Sequence, residues 1–214
     1  VTYKELQDEV IDFRFNEGRR DIIKRLIDRR YAMVWAAAEW PFKKMPRTAL
    51  TVGASLTGLT MPADFGRALH LETSAGEPLK YYPPVEFQDN WDALDSSAGT
   101  ATDYTVINGT IYVRPYQGAG ASFSLAYERR VSHLADGVTA TAGLMNSDND
   151  TPIWPVEHHY LLVFGAMADG LKLENDNTWE ALEDAYDQSI QTMMQDLLPP
   201  DHVGTLQYGR DLGI

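Results

Sequence analysis

Cysteine is absent from the 214 residues, which excludes disulfides, thiolate nucleophiles and thiolate metal sites. No apolar run of about eighteen residues occurs, so nothing in the sequence is suited to spanning a bilayer. The opening Val1-Thr2-Tyr3-Lys4-Glu5-Leu6 lacks the charged-then-apolar layout of a secretory leader, and the chain is expected to stay in the cytoplasm where it is made. Basic residues are scarce after residue 47: residues 48–214 hold seven Lys+Arg against twenty-three Asp+Glu, while residues 1–47 hold eleven against eight. The net charge of −13 therefore sits on an acidic body, which argues against tight generic DNA binding.

Chemistry-bearing motifs are equally sparse. There is no Gly-x-Ser-x-Gly elbow and no Gly-x-x-x-x-Gly-Lys phosphate loop, and Gly118-Ala-Gly120 reads as a turn. Adjacent His158 and His159 on a helix point about 100° apart and cannot chelate one ion, so a helix-surface or packing role is expected. No catalytic residue, metal site or cofactor is expected.

What is present is a succession of periodic segments. Residues 3–15 read as an amphipathic helix with Leu6, Val10, Ile11 and Phe13 near one side. Asn16 and Gly18 break it, with Asn16 a candidate cap. Residues 19–39 form a second helix about 30 Å long, on which Ile22, Ile23, Leu26, Ile27, Tyr31, Val34 and Trp35 recur at three- and four-residue steps, and Pro41 ends it. From residue 46 Thr, Gly, Tyr and Val take over and favour short strands. Asn108-Gly109 between two β-prone runs marks a two-residue hairpin, because both residues accept positive φ. Residues 122–128 alternate with period two; 56–61 and 68–73 are weaker strands, and 85–94 is a short helix.

Residues 136–151 read as a polar loop. Helical periodicity returns after Pro155 through Tyr160, Phe164, Leu171 and Leu173, breaks at Asp176-Asn177, and resumes over 178–197 until Pro199-Pro200. The expected fold is α+β: a helical bundle from the N- and C-terminal helices, an inserted small antiparallel β module, and an extended C-terminal arm. The divisions are 1–45, 46–135, a loop at 136–152, 153–197, and an arm at 198–214.

Arg19, Arg20, Arg25, Arg29 and Arg30 form a basic concentration on the second helix. It reads as a solvated face, as a subunit interface pairing with the acidic body of a neighbouring copy, or, third, as a DNA contact. Trp35, Trp40, Trp91, Trp154 and Trp179 are scattered over helical and β regions, which favours packing over ligand stacking.

Several short segments resemble a known family. Ile27-Asp-Arg-Arg-Tyr31 followed by Trp40-Pro-Phe42 is similar to the opening of tailed-phage head-to-tail adaptor proteins, with Asp28 where Asn is more usual. Thr60-Met-Pro-Ala-Asp-Phe65, the Tyr104 to Pro115 hairpin, Leu125-Ala-Tyr127 and Thr151-Pro-Ile-Trp-Pro155 follow in the family's order.

The resemblance implies a structural ring subunit, commonly in twelve copies, in the neck of a virion assembled in the host cytoplasm. It implies partners too: the portal protein, neighbouring copies, a tail or nozzle/stopper protein, and passing genomic DNA without sequence-specific contact, with no membrane. On this reading Asp201, His202, Val203, Leu206, Tyr208, Arg210 and Leu212 belong to an arm that binds portal or neighbour. Glu180, Glu183 and Asp187 are expected to face the DNA channel. A tail-fibre or carbohydrate-binding module and a small hydrolase are the competing expectations.

Overall fold

The computed structural model describes residues 1–53, 58–89, 99–115 and 117–199. The chain divides into two compact units, one built from residues 1–42 and 131–214, the other from residues 43–130. The molecule is α+β.

The first unit is helical. Helix α1 (Tyr3–Phe13) opens with a capping box: the Thr2 hydroxyl accepts from the Glu5 amide, and the Glu5 carboxylate accepts from the Thr2 amide at 2.8 Å. Tyr3, Leu6 and Val10 face the core, whereas Phe13 is exposed, contrary to its expected side. A 3₁₀ turn (Glu17–Arg19) leads into α2 (Arg20–Ala37), and Asn16 makes no side-chain capping bond. Ile23, Ile27, Tyr31, Val34 and Trp35 of α2 are buried, while Ile22 lies on the outer side.

After α2 the chain turns extended at Ala38, and the Trp40 indole N–H donates to the Val34 carbonyl at 2.6 Å, satisfying one of the carbonyls that a helix end leaves open. Helical structure after Pro155 begins with a 3₁₀ turn (Val156–His158), and the α-helix proper starts only at Leu161. That helix, α4 (Leu161–Leu173), is buried almost all round and packs against α1, α2 and α5 (Trp179–Leu197), so it is the centre of the bundle. Asn175, at φ 56°, turns the chain between α4 and α5, and the Asp176 carboxylate accepts from the amide and hydroxyl of Thr178.

A hairpin of β7 (Ser132–Ala135) and β8 (Thr139–Ala142) belongs to this unit. The stretch read from sequence as a loop thus carries a strand. The turn is made by Asp136 and Gly137, both at positive φ, which is the chemistry such a turn requires.

The second unit holds two three-stranded sheets. In one, β6 (Ser122–Arg129) lies between β1 (Lys44–Thr51) and β2 (Phe65–Thr73), antiparallel to both. In the other, β4 (Asp103–Ile107) lies between β3 (Lys80–Tyr81) and β5 (Thr110–Arg114). The β4–β5 hairpin turns at Asn108 (φ 50°) and Gly109 (φ 75°). The β3–β4 pair is parallel over two residues, and the other strand pairs of the module are antiparallel as expected. Cross-strand partners Leu50 and Phe123, and Leu71 and Leu125, supply its core together with Tyr104 and Ile111. A short helix α3 (Pro84–Asp89) follows β3. Residues 90–94 of the expected helix and 56–57 of the expected strand lie outside the described residues.

Candidate functional site

In the helical unit, residues from three separated sequence segments converge on an aromatic clasp. Tyr31 stacks on Trp154 with centroids 4.5 Å apart; Phe42 touches Trp35, Trp40 and Trp154 at 5.6–5.7 Å. The Tyr31 hydroxyl donates to the Ser132 carbonyl at 2.5 Å, and burial pushes it well above the ordinary phenol range. Trp35, Trp40 and Trp154 are therefore packing residues, whereas Trp179 is half-buried with Lys172 over its ring, and Trp91 lies outside the described residues.

Beside the clasp is a buried charge cluster. Arg30 donates to both Asp169 oxygens at 2.8 and 2.5 Å and to both Glu183 oxygens at 2.9 and 2.7 Å. Its guanidinium lies 4.5 Å from the Tyr186 ring centroid, and Lys172 donates to Glu183 at 2.9 Å. Burial works to raise the Glu183 carboxyl, but the hydrogen bonds from Arg30 and Lys172 outweigh it and hold the group below its ordinary value. Gly165 makes the crossing possible, since a Cβ there would meet Arg30 at 2.8 Å and Tyr186 at 2.9 Å.

The cluster corrects the sequence reading of Arg30. Arg30, expected at a subunit interface, is only 2% exposed and fully engaged inside its own bundle. Glu183, expected at the channel wall, is clasped between Arg30 and Lys172. The signal was available: Ile23, Ile27, Arg30 and Val34 recur at helical steps, so Arg30 falls on the buried face, and Asp169 interrupts the apolar run of α4.

The remaining residues singled out from sequence are spread over the bundle surface. Arg19 pairs with Glu174, Arg14 with Asp176, and Arg20 with Asp8 and Glu17. Arg25 and Arg29 are exposed on α2, and Glu180 and Asp187 are exposed on α5. Asp201, His202, Val203, Leu206, Tyr208, Arg210 and Leu212 lie outside the described residues.

In the β unit, Asp64 is buried and accepts from the Tyr127 hydroxyl at 2.8 Å while pairing with Arg129 at 2.6 Å. Burial, then the bond to Asp64, pushes the Tyr127 phenol up to about 12. Phe65 packs on the Tyr127 ring. A groove nearby is lined by Phe65, Leu69, Tyr81, Tyr104 and Val106.

His133 and Asp150 are 3.3 Å apart, which has the outline of an acid–base pair, but both are about 2% exposed. The other ring nitrogen of His133 faces the Gly143 carbonyl and Asp150 caps the amides of Asn146 and Ser147, so the pair fastens a loop. His159 is buried against the Trp154 carbonyl, and burial lowers its pKa. Among the described residues no group of three or more His, Asp and Glu is placed to hold a metal, and no helix is long and apolar enough to cross a membrane.

The residues carrying the resemblance noted from sequence thus sit together in space: Tyr31, Trp40, Phe42 and Trp154 in one clasp, Asp64, Phe65 and Tyr127 in the other. Such packing fixes an architecture, not a reaction. A family model described as SU10 adaptor protein matches residues 1–209. No curated protein matches the chain.

Proposed function

The chain belongs to the SU10 adaptor protein family, a family of phage head-to-tail adaptors, and from that premise we propose that it acts in the virion neck as a ring subunit, without enzymatic activity, joining the portal to the tail. The observation that carries this reading is that the family match runs through both structural units. Twelve copies, the commonest number in such rings, would surround the channel. The acidic body, seven basic against twenty-three acidic residues over 48–214, would keep passing DNA from adhering to it. Residues 198–214 are proposed to reach the portal or a neighbouring copy after assembly in the host cytoplasm, and the tail or nozzle protein would take the opposite face.

The test is imaging of the full chain mixed with its portal. Rings in axial register with the portal support the reading; a chain that stays monomeric beside unoccupied portals rejects it. A carbohydrate-binding role is the second reading, favoured only by the groove with Tyr81 and Tyr104 in the β unit. Saturable glycan binding that is lost in Y81A would favour it instead.

A further inference from the structure

The arginines of the helical unit are not equally occupied. Arg14, Arg19, Arg20 and Arg30 each pair with a carboxylate of the same chain. Arg25 and Arg29 pair with none among the described residues, and Arg25 reaches only the Asp21 carbonyl one turn back, at 3.3 Å. Both belong to an exposed stripe on α2, with Ile22, Ala32 and Ala36 at three- and four-residue steps, opposite the buried Ile23, Ile27 and Val34. The two alanines leave this side of the helix open to close approach.

Helix α5 carries the complement. Glu180, Asp184 and Asp187 are exposed at four- and three-residue steps, and none pairs with a cation among the described residues. Burial, then the neighbouring charge of Glu183, holds the Asp187 carboxyl above its ordinary value, although the charges of Arg30 and Lys172 act in the opposite direction.

The two stripes are on different helices. Helix α4 packs against both α2 and α5, while α2 and α5 make little backbone contact with one another and meet through the Arg30 side chain. A molecule bearing a surface and its complement at separate places associates head to tail, and closes into a ring when the rotation between copies allows it.

We propose that α2 of one copy docks on α5 of the next, with Arg25 and Arg29 facing Glu180, Asp184 and Asp187. This deepens the ring reading and rests on it. It also reassigns Glu180 and Asp187 from the channel wall to the boundary between copies. Exposed charge pairs of this kind set register and orientation more than affinity, so the alignment of copies is what they supply.

Charge reversal with complementation tests it. R25E/R29E places acid against acid, and E180K/D184K/D187K places base against base. Each full-length variant alone should lower the fraction of portals carrying a ring by about tenfold, since like charges then face each other at every boundary. Mixed in equal amounts, the two variants regain opposite charges at every boundary, and ring occupancy should return to near that of the unsubstituted chain. Recovery also shows that both variants fold. Rings formed by either variant alone at the unsubstituted level, or a mixture of folded variants that fails to recover, would overturn the pairing and leave the adaptor reading standing. No rings from the unsubstituted chain would remove both.

Discussion

Arg30 shows how a charge can be held inside a small bundle. Its guanidinium meets four carboxylate oxygens and one aromatic face, so every donor direction toward Asp169 and Glu183 is used. Asp169 is 6% exposed and would be left as a buried, uncompensated charge if Arg30 were removed. R30M should therefore destabilise the protein by about 3–5 kcal/mol, most of it from stranding Asp169. Urea unfolding of the single variant against R30M/D169L checks this, because the double variant should recover most of the loss. A single variant as stable as the parent would mean that Asp169 finds water or another partner at little cost. Gly165 belongs to the same device, as its missing side chain is the space through which Arg30 passes.

At the scale of elements, the β4–β5 hairpin was the plainest statement in the sequence. Gly109 sits at φ 75°, a conformation that costs an L side chain roughly 1 kcal/mol, and nothing lies within 4 Å of an added Cβ. G109A should therefore lower stability by about 1 kcal/mol through backbone strain alone, read as a shift in the urea midpoint with an unchanged slope. The helices were legible for a related reason: Leu6, Val10, Ile27, Val34 and Ile190 repeat at helical steps and all reach the core. What escaped reading depended on partners distant in sequence. Strand β7 is four residues long and its turn, Asp136-Gly137, is the same chemistry as Asn108-Gly109, but the Thr- and Ala-containing β8 has too little apolar alternation to announce itself. Strand β3 is two residues long and exists only because β4 lies beside it. The Arg30 cluster joins residues more than a hundred positions apart, so sequence shows that Arg30 is on the buried side without showing what neutralises it.

The whole molecule interrupts one folding unit with another, and the register of β1 and β6 explains how that is tolerated. Lys44 pairs with Glu128 across adjacent antiparallel strands, so the chain enters and leaves the β unit at points about 5 Å apart. The helical unit therefore needs only a short connection between Phe42 and Val131, and its core residues all come from its own two segments. Replacing residues 43–130 with a short Gly-Ser linker should leave a helical protein that unfolds cooperatively, and residues 43–130 alone should fold as a β protein with their own core. Circular dichroism with thermal melts reads both outcomes, and a linker variant without a cooperative transition would show that the helices depend on the insert. Ring formation by the linker variant then has a definite meaning. If the contacts between copies lie on α2 and α5, the variant keeps the surfaces that close a ring, and any loss it shows in joining portal to tail is assignable to the β unit alone.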